Sequence, residues 1–100
     1  MGENILSRLT SRIAVERAIE EYDRLGQEKF LDKYGFGQAR AYVLRYHGRL
    51  YDSKAIAGVA FGFEHPAQGP LKSGNFSGGK DPGHAAHRLQ ELGFEIQANE

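Results

Sequence analysis

Lys54 stands two residues after Asp52, where a basic and aromatic strand, Arg49-Leu50-Tyr51, is predicted to run directly into a helix that begins near Ser53. Asp52 or Ser53 is suited to cap the free amides of that helix start. Lys54 then projects from the first turn, beside amides whose partial positive charge favours an anion. Phosphate is the anion this chemistry suits. The same residues also fit an ordinary capped core helix with a solvated lysine, and residue chemistry alone leaves both readings open. A second such point is Ser77-Gly78-Gly79-Lys80, where small residues let a phosphate approach a helix start closely, although Asp81 competes for the same donors. It is not a nucleotide-hydrolysing loop, because the spaced glycine before it and the Ser or Thr after the lysine are missing.

Other residues with chemical potential are weaker candidates. His84 and His87 sit three apart on one helical face, but no third or fourth ligand is evident, so neither a metal site nor a cofactor is expected. Arg88 beside them is better suited to a polyanion. Tyr51 and Lys54 resemble half of an acid–base pair, yet no glycine-rich dinucleotide fingerprint accompanies them. With no cysteine, disulfides, thiolate nucleophiles and zinc–thiolate fingers are excluded. No catalytic residues are assigned, and the chain is not expected to be an enzyme.

Lys plus Arg and Asp plus Glu number 13 each, so the whole-molecule field offers no long-range pull on nucleic acid. The distribution is uneven. Glu16, Glu20, Glu21 and Asp23 concentrate early, whereas Arg40, Arg45, Arg49 and Lys54 share the middle of the chain with the single acid Asp52. A basic face on a neutral protein is therefore possible, as is a solvated strand surface with incidental arginines.

The elements that must position these residues follow from periodicity. Val15, Ala18, Ile19, Tyr22 and Leu25 form an apolar stripe on a helix that Ser11 caps and Gly26 ends. A shorter helix from Gln27 to Tyr34 buries Phe30, Leu31 and Tyr34, and Phe36 plugs the core between Gly35 and Gly37. Tyr42 to Tyr46 and Arg49 to Tyr51 flank His47-Gly48 as a hairpin, with Tyr42, Leu44 and Tyr46 on one face and Val43 and Arg45 on the other. The pattern does not say which face is buried. The next helix is expected to bury Ile56, Val59, Ala60 and Phe63, and its Ala55, Ala57 and Gly58 allow close backbone approach. Residues 64–79 read as a long loop anchored by Phe76. Asp81 and Pro82 then suit the cap and first position of a helix carrying Ala85, Ala86, Leu89 and Leu92, stopped by Gly93, and Phe94-Glu95-Ile96 adds a strand.

The expected fold is α+β, with a small, mainly antiparallel sheet (hairpin plus C-terminal strand) packed against about four helices. The 100 residues, 40% hydrophobic and 26% charged, describe one domain, taken as residues 12–97 after a flexible N-terminus at 1–11. No run approaches the roughly 20 apolar residues of a membrane span, and the first dozen residues lack the apolar core of a secretion signal. A cytoplasmic location is expected.

Five segments in one order carry a resemblance: Ala18-Ile19-Glu20-Glu21-Tyr22-Asp23-Arg24-Leu25-Gly26, Tyr34-Gly35-Phe36-Gly37, Tyr51-Asp52-Ser53-Lys54-Ala55-Ile56-Ala57-Gly58, Asn75-Phe76-Ser77-Gly78-Gly79 and Leu92-Gly93-Phe94-Glu95-Ile96. Over roughly Ile13 to Ile96 the chain resembles the N-terminal head domain of ScoMcrA-like, modification-dependent HNH restriction endonucleases. The resemblance implies bacterial defence against modified DNA, with the head preceding modules that read the DNA and an HNH nuclease. No histidine–asparagine–histidine nuclease pattern occurs here, so cleavage is expected in another domain or chain.

The expected role is an accessory module that contacts the DNA backbone through Arg45, Arg49, Lys54, Lys80 and Arg88, with Ser53 at the helix start and Tyr51 or Tyr46 against a sugar or base. Its partners are then DNA, weakly bound by this chain alone, and a restriction-system protein or further domains. Neutralising about three phosphates gives a log–log salt slope near −3. The alternative is a protein-interaction or dimerisation module that positions a nuclease or partner chain, for which salt matters little.

Overall fold

The computed structural model describes residues 4–39 and 41–98. Arg40, one of the central cations, lies outside the described residues, as do residues 1–3 of the N-terminal segment. Ser11 caps the first helix as expected: its Oγ accepts the Ala14 amide at 3.0 Å, and α1 runs Arg12–Leu25. Gly26, at φ +87°, ends it and opens α2, Gln27–Tyr34, which stops at Gly35 in the left-handed conformation. The strands β1, Tyr42–Tyr46, and β2, Arg49–Asp52, form the hairpin, whose turn residues His47 and Gly48 both take positive φ. Next come α3, Ser53–Glu64, the loop, α4, Ala85–Glu91, and β3, Glu95–Ala98.

The fold is α+β, a three-stranded antiparallel sheet of order β2-β1-β3 with four α-helices among the described residues. Leu44 pairs with Tyr51 on one side and Ile96 on the other, and these three side chains face the core with α1 and α3 behind them. This settles which hairpin face is buried. Arg45, between Leu50 and Glu95, points from the open face. No helix among the described residues is long and apolar enough to cross a membrane.

Three expectations need correction. Residues 4–9 are not a loose N-terminus: Ile5–Arg8 forms a 3-10 turn, and Leu6 and Leu9 are fully buried. Glu64 fixes the next two residues by accepting the amides of Thr10 and Ser11. In α3 the buried phenylalanine is Phe61, while Phe63 is exposed, because this helix is enclosed from Ala55 to Phe61 rather than along one stripe. α4 begins three residues after Pro82, since Gly83 at φ +89° breaks the helical path. The carbonyls of Ser77 and Gly79 take the place of a side-chain cap, accepting the Ala85 and His87 amides.

Two carboxyls, the buried Glu21 and the half-buried Glu64, tie neighbouring segments together. Glu21 accepts from Lys33 and the Tyr34 hydroxyl, and Glu64 from Thr10 and Ser11. Burial pushes each upward, but the hydrogen bonds outweigh it and hold both below the ordinary value of 4.5. A folded value below the unfolded one contributes stability that is present above the ordinary carboxyl range and lost as pH falls through the folded value. The thermal midpoint should therefore decline below about pH 4.5, and Glu64→Gln should remove part of that decline in a pH series.

Candidate nucleic-acid interface

β2 passes into α3 with no intervening residue; Ser53, Ala55 and Ile56 of the first turn are buried, and Lys54 is half-buried. A cleft of about 440 Å³ opens there. Gln38, Ala39 and Tyr42 line one side, and Ser73, Gly78 and Gly79 the other, with Lys54 at its edge.

Neither expected cap closes the helix. Asp52 occupies the N-cap position but makes no cap bond. Instead one of its oxygens accepts the Tyr22 hydroxyl at 2.6 Å and the Gln27 amide at 2.9 Å, and the other accepts the Ala39 backbone N–H at 2.6 Å. Ser53 is buried and its Oγ donates to the Tyr42 carbonyl at 2.9 Å, which fastens the head of α3 to β1. The first-turn amides of α3 therefore have no side-chain cap, and Ser53 and Lys54 of that turn line the cleft.

The site cations divide by location. Lys54 is half-buried, its Nζ 3.4 Å from Ser73 Oγ and 5.3 Å from the centre of the Phe76 ring. Gly78 packs on its stem, where an added Cβ would come within 3.3 Å. Lys80 is exposed and its Nζ lies 5.6 Å from the centre of the ring of Tyr42, which with Gly79 lines the cleft, so Lys80 is next to the cleft while Lys54 lines it.

The other cations do not join them. Arg49 is 71% exposed and pairs with Asp23 at 3.4 Å, at the edge of a separate depression lined by Glu16, Glu20 and Asp23. Arg45 stands on the open sheet face opposite Glu95. Arg88 is half-buried and structural: its Nε donates to the Leu9 carbonyl at 2.9 Å, Nη2 to the Ser7 carbonyl, and Nη1 to Glu91.

Neither tyrosine offers a free ring for a base. Tyr51 is 3% exposed, donates to Asp23 at 2.8 Å and meets Tyr22 edge-on. Burial first, then that hydrogen bond, pushes its hydroxyl up to about 12, so it stays protonated at neutral pH. Tyr46 is flanked by His47 and Phe94 and donates to Glu16. The expected single cationic surface is thus reduced to Lys54 and Lys80. The cleft wall at Gln38 and Ala39 was not found from sequence; the Gly35 and Gly37 pair marked only a bend.

His87 Nδ1 donates to the Lys80 carbonyl at 3.1 Å, and its Nε2 lies 3.6 Å from Glu91. Among the described residues no group of three or more His, Asp or Glu side chains comes together to hold a metal.

Fold and cleft define a small α+β domain with a recess at a strand-to-helix junction, lined by Lys54 and the buried Asp52. Compared with known proteins, residues 7–98 match the ScoMcrA-like N-terminal head domain, and the chain belongs to that family. The solved structure of the Type IV phosphorothioation-dependent restriction endonuclease ScoMcrA is similar over 91% of this chain, with 34% sequence identity and a TM-score of 0.65. The chain spans 13% of the length of that protein. No curated protein matches.

Proposed function

We propose that this head domain is an accessory DNA-contacting module of a modification-dependent restriction system acting in bacterial defence in the cytoplasm. The cleft at the head of α3 receives a backbone phosphate, Lys54 and Lys80 supply the charge, and strand scission belongs to another domain or chain. The observation that carries this is the first turn of α3, which has no side-chain cap and whose Ser53 and Lys54 line a cleft, with Lys80 beside the lining residue Tyr42. Family membership supports the setting, since the related ScoMcrA is a phosphorothioation-dependent restriction endonuclease. Backbone contacts of this kind position a protein on DNA without reading sequence.

Polarisation titration of a fluorescein-labelled plain duplex over a salt series tests the proposal. Two lysines give a log–log slope near −2, in place of the −3 expected from more cations. Lys54→Ala and Lys80→Ala should each weaken binding and flatten the slope by about 1. Arg49→Ala should leave both unchanged, because that arginine pairs with Asp23 away from the cleft. A slope that Lys54→Ala does not alter contradicts the proposal. The alternative, a docking module for a partner domain, draws support from Leu50, half exposed on the open sheet face; it requires association that salt does not weaken.

A further inference from the structure

We infer that Asp52 is a positioning residue for the cleft: its buried carboxylate holds the wall at Gln38 and Ala39 and, being engaged there, leaves the head of α3 open. The inference rests on the phosphate-docking reading and adds how that site is kept in shape.

An aspartate at an N-cap position ordinarily accepts an amide from the first turn of its own helix. Here the carboxylate is 4% exposed and accepts from three more distant donors: the Tyr22 hydroxyl on α1, the Gln27 amide at the start of α2, and the Ala39 backbone N–H. Gln38, Ala39 and Asp52 also line a second depression of about 270 Å³, bounded by Tyr22 and Val43. The Gln38-Ala39 segment is therefore a partition with space on both sides. The bond from Ala39 to Asp52 fixes it against a carboxylate that is itself anchored to two helices. Presetting the wall removes an ordering cost that a ligand would otherwise meet on binding.

A negative group beside an anion site opposes the anion, so the value of Asp52 lies in its geometry, and asparagine separates geometry from charge. Asp52→Asn keeps an oxygen for the Ala39 amide and drops the charge. Asp52→Ser supplies a hydroxyl that caps α3 and is too short to reach Ala39.

The test uses the full chain, a fluorescein-labelled plain duplex, and amide hydrogen exchange without DNA. Asp52→Asn should bind as tightly as the wild type or more tightly, with the Ala39 amide equally protected. Asp52→Ser should bind about tenfold more weakly and exchange Ala39 faster, while the interior of α3 stays protected. Ala39→Pro removes the donor from the loop side, leaves the buried carboxylate in place, and should show the same loss if the serine variant does not fold. Wild-type affinity in Asp52→Ser or Ala39→Pro, with binding still dependent on Lys54, overturns the inference and leaves the phosphate reading intact. If the wild type does not bind the duplex, the phosphate reading fails, and slow Ala39 exchange in Asp52→Ser then overturns the inference separately.

Discussion

Phe30→Ala is expected to lower the unfolding free energy by about 4 kcal/mol, a large share of the roughly 5–15 kcal/mol available to a domain of this kind. Phe30 is fully buried, with ring centroids 5.0 Å from Tyr22 and 5.1 Å from Tyr34, and Tyr22 in turn meets Tyr51 at 4.9 Å. Truncation removes the transfer free energy of the ring and leaves a cavity that three tethered tyrosines cannot close. Their hydroxyls are held by Asp52, Glu21 and Asp23. A lower urea midpoint at unchanged m-value is the expected reading. Phe30→Leu, which keeps most of the volume, should cost less than about 1.5 kcal/mol. Because Tyr22 donates to Asp52, the same truncation also loosens the cleft.

Gly62→Ala is expected to destabilise by about 3 kcal/mol, although alanine is the better helix former by about 1 kcal/mol. An added Cβ would lie 2.5 Å from the Pro70 nitrogen, 2.8 Å from its Cα and 2.9 Å from the Gly69 carbonyl carbon. All three are backbone atoms, so no rotamer change relieves the contact, and either α3 or the loop must shift. Leu71 donates its N–H to the Gly58 carbonyl at 3.0 Å just beyond this point, and the same loop delivers Ser73, Gly78 and Gly79 to the cleft. Urea unfolding of Gly62→Ala beside Gly74→Ala checks the claim. Gly74 has open space around it and should change stability by less than about 0.5 kcal/mol.

Local signals were legible and long-range ones were not. Ser11, Gly26 and Gly35 act on neighbours within one turn, and α1 and α2 begin and end where those residues predict. The hairpin is equally local, since His47 and Gly48 alone decide the turn. By contrast α3 is enclosed by several elements, so a single apolar stripe misplaces its phenylalanine, and α4 takes its cap from the carbonyl of Ser77 across a loop. Leu6 and Leu9 look like a tail until Arg88, almost 80 residues later, bonds to the carbonyls of Ser7 and Leu9. Asp52 shows the conflict most clearly. The capping rule assigns it to α3, but donors 13, 25 and 30 residues away claim both oxygens. Which cations lie near the cleft is likewise a tertiary fact, because spacing along the chain does not reveal that Arg49 turns toward Asp23 while Lys54 lines the cleft and Lys80 stands by its residue Tyr42.

What remains of the cationic surface is smaller and more concentrated than a reading of the residues implies, and that sharpens the functional claim. Two lysines suit weak, salt-sensitive contact, which tethering to a second DNA-reading domain would amplify through effective concentration.

The most direct test is a nitrogen-15 chemical-shift titration of the full chain with a short plain duplex at low salt. Shifts confined to the amides of Lys54, Ala55, Ser73, Gly78 and Gly79, and abolished by added salt, are the predicted result. Shifts centred on Arg49, Asp23 and the open face of the sheet, with the head of α3 unmoved, would contradict the account.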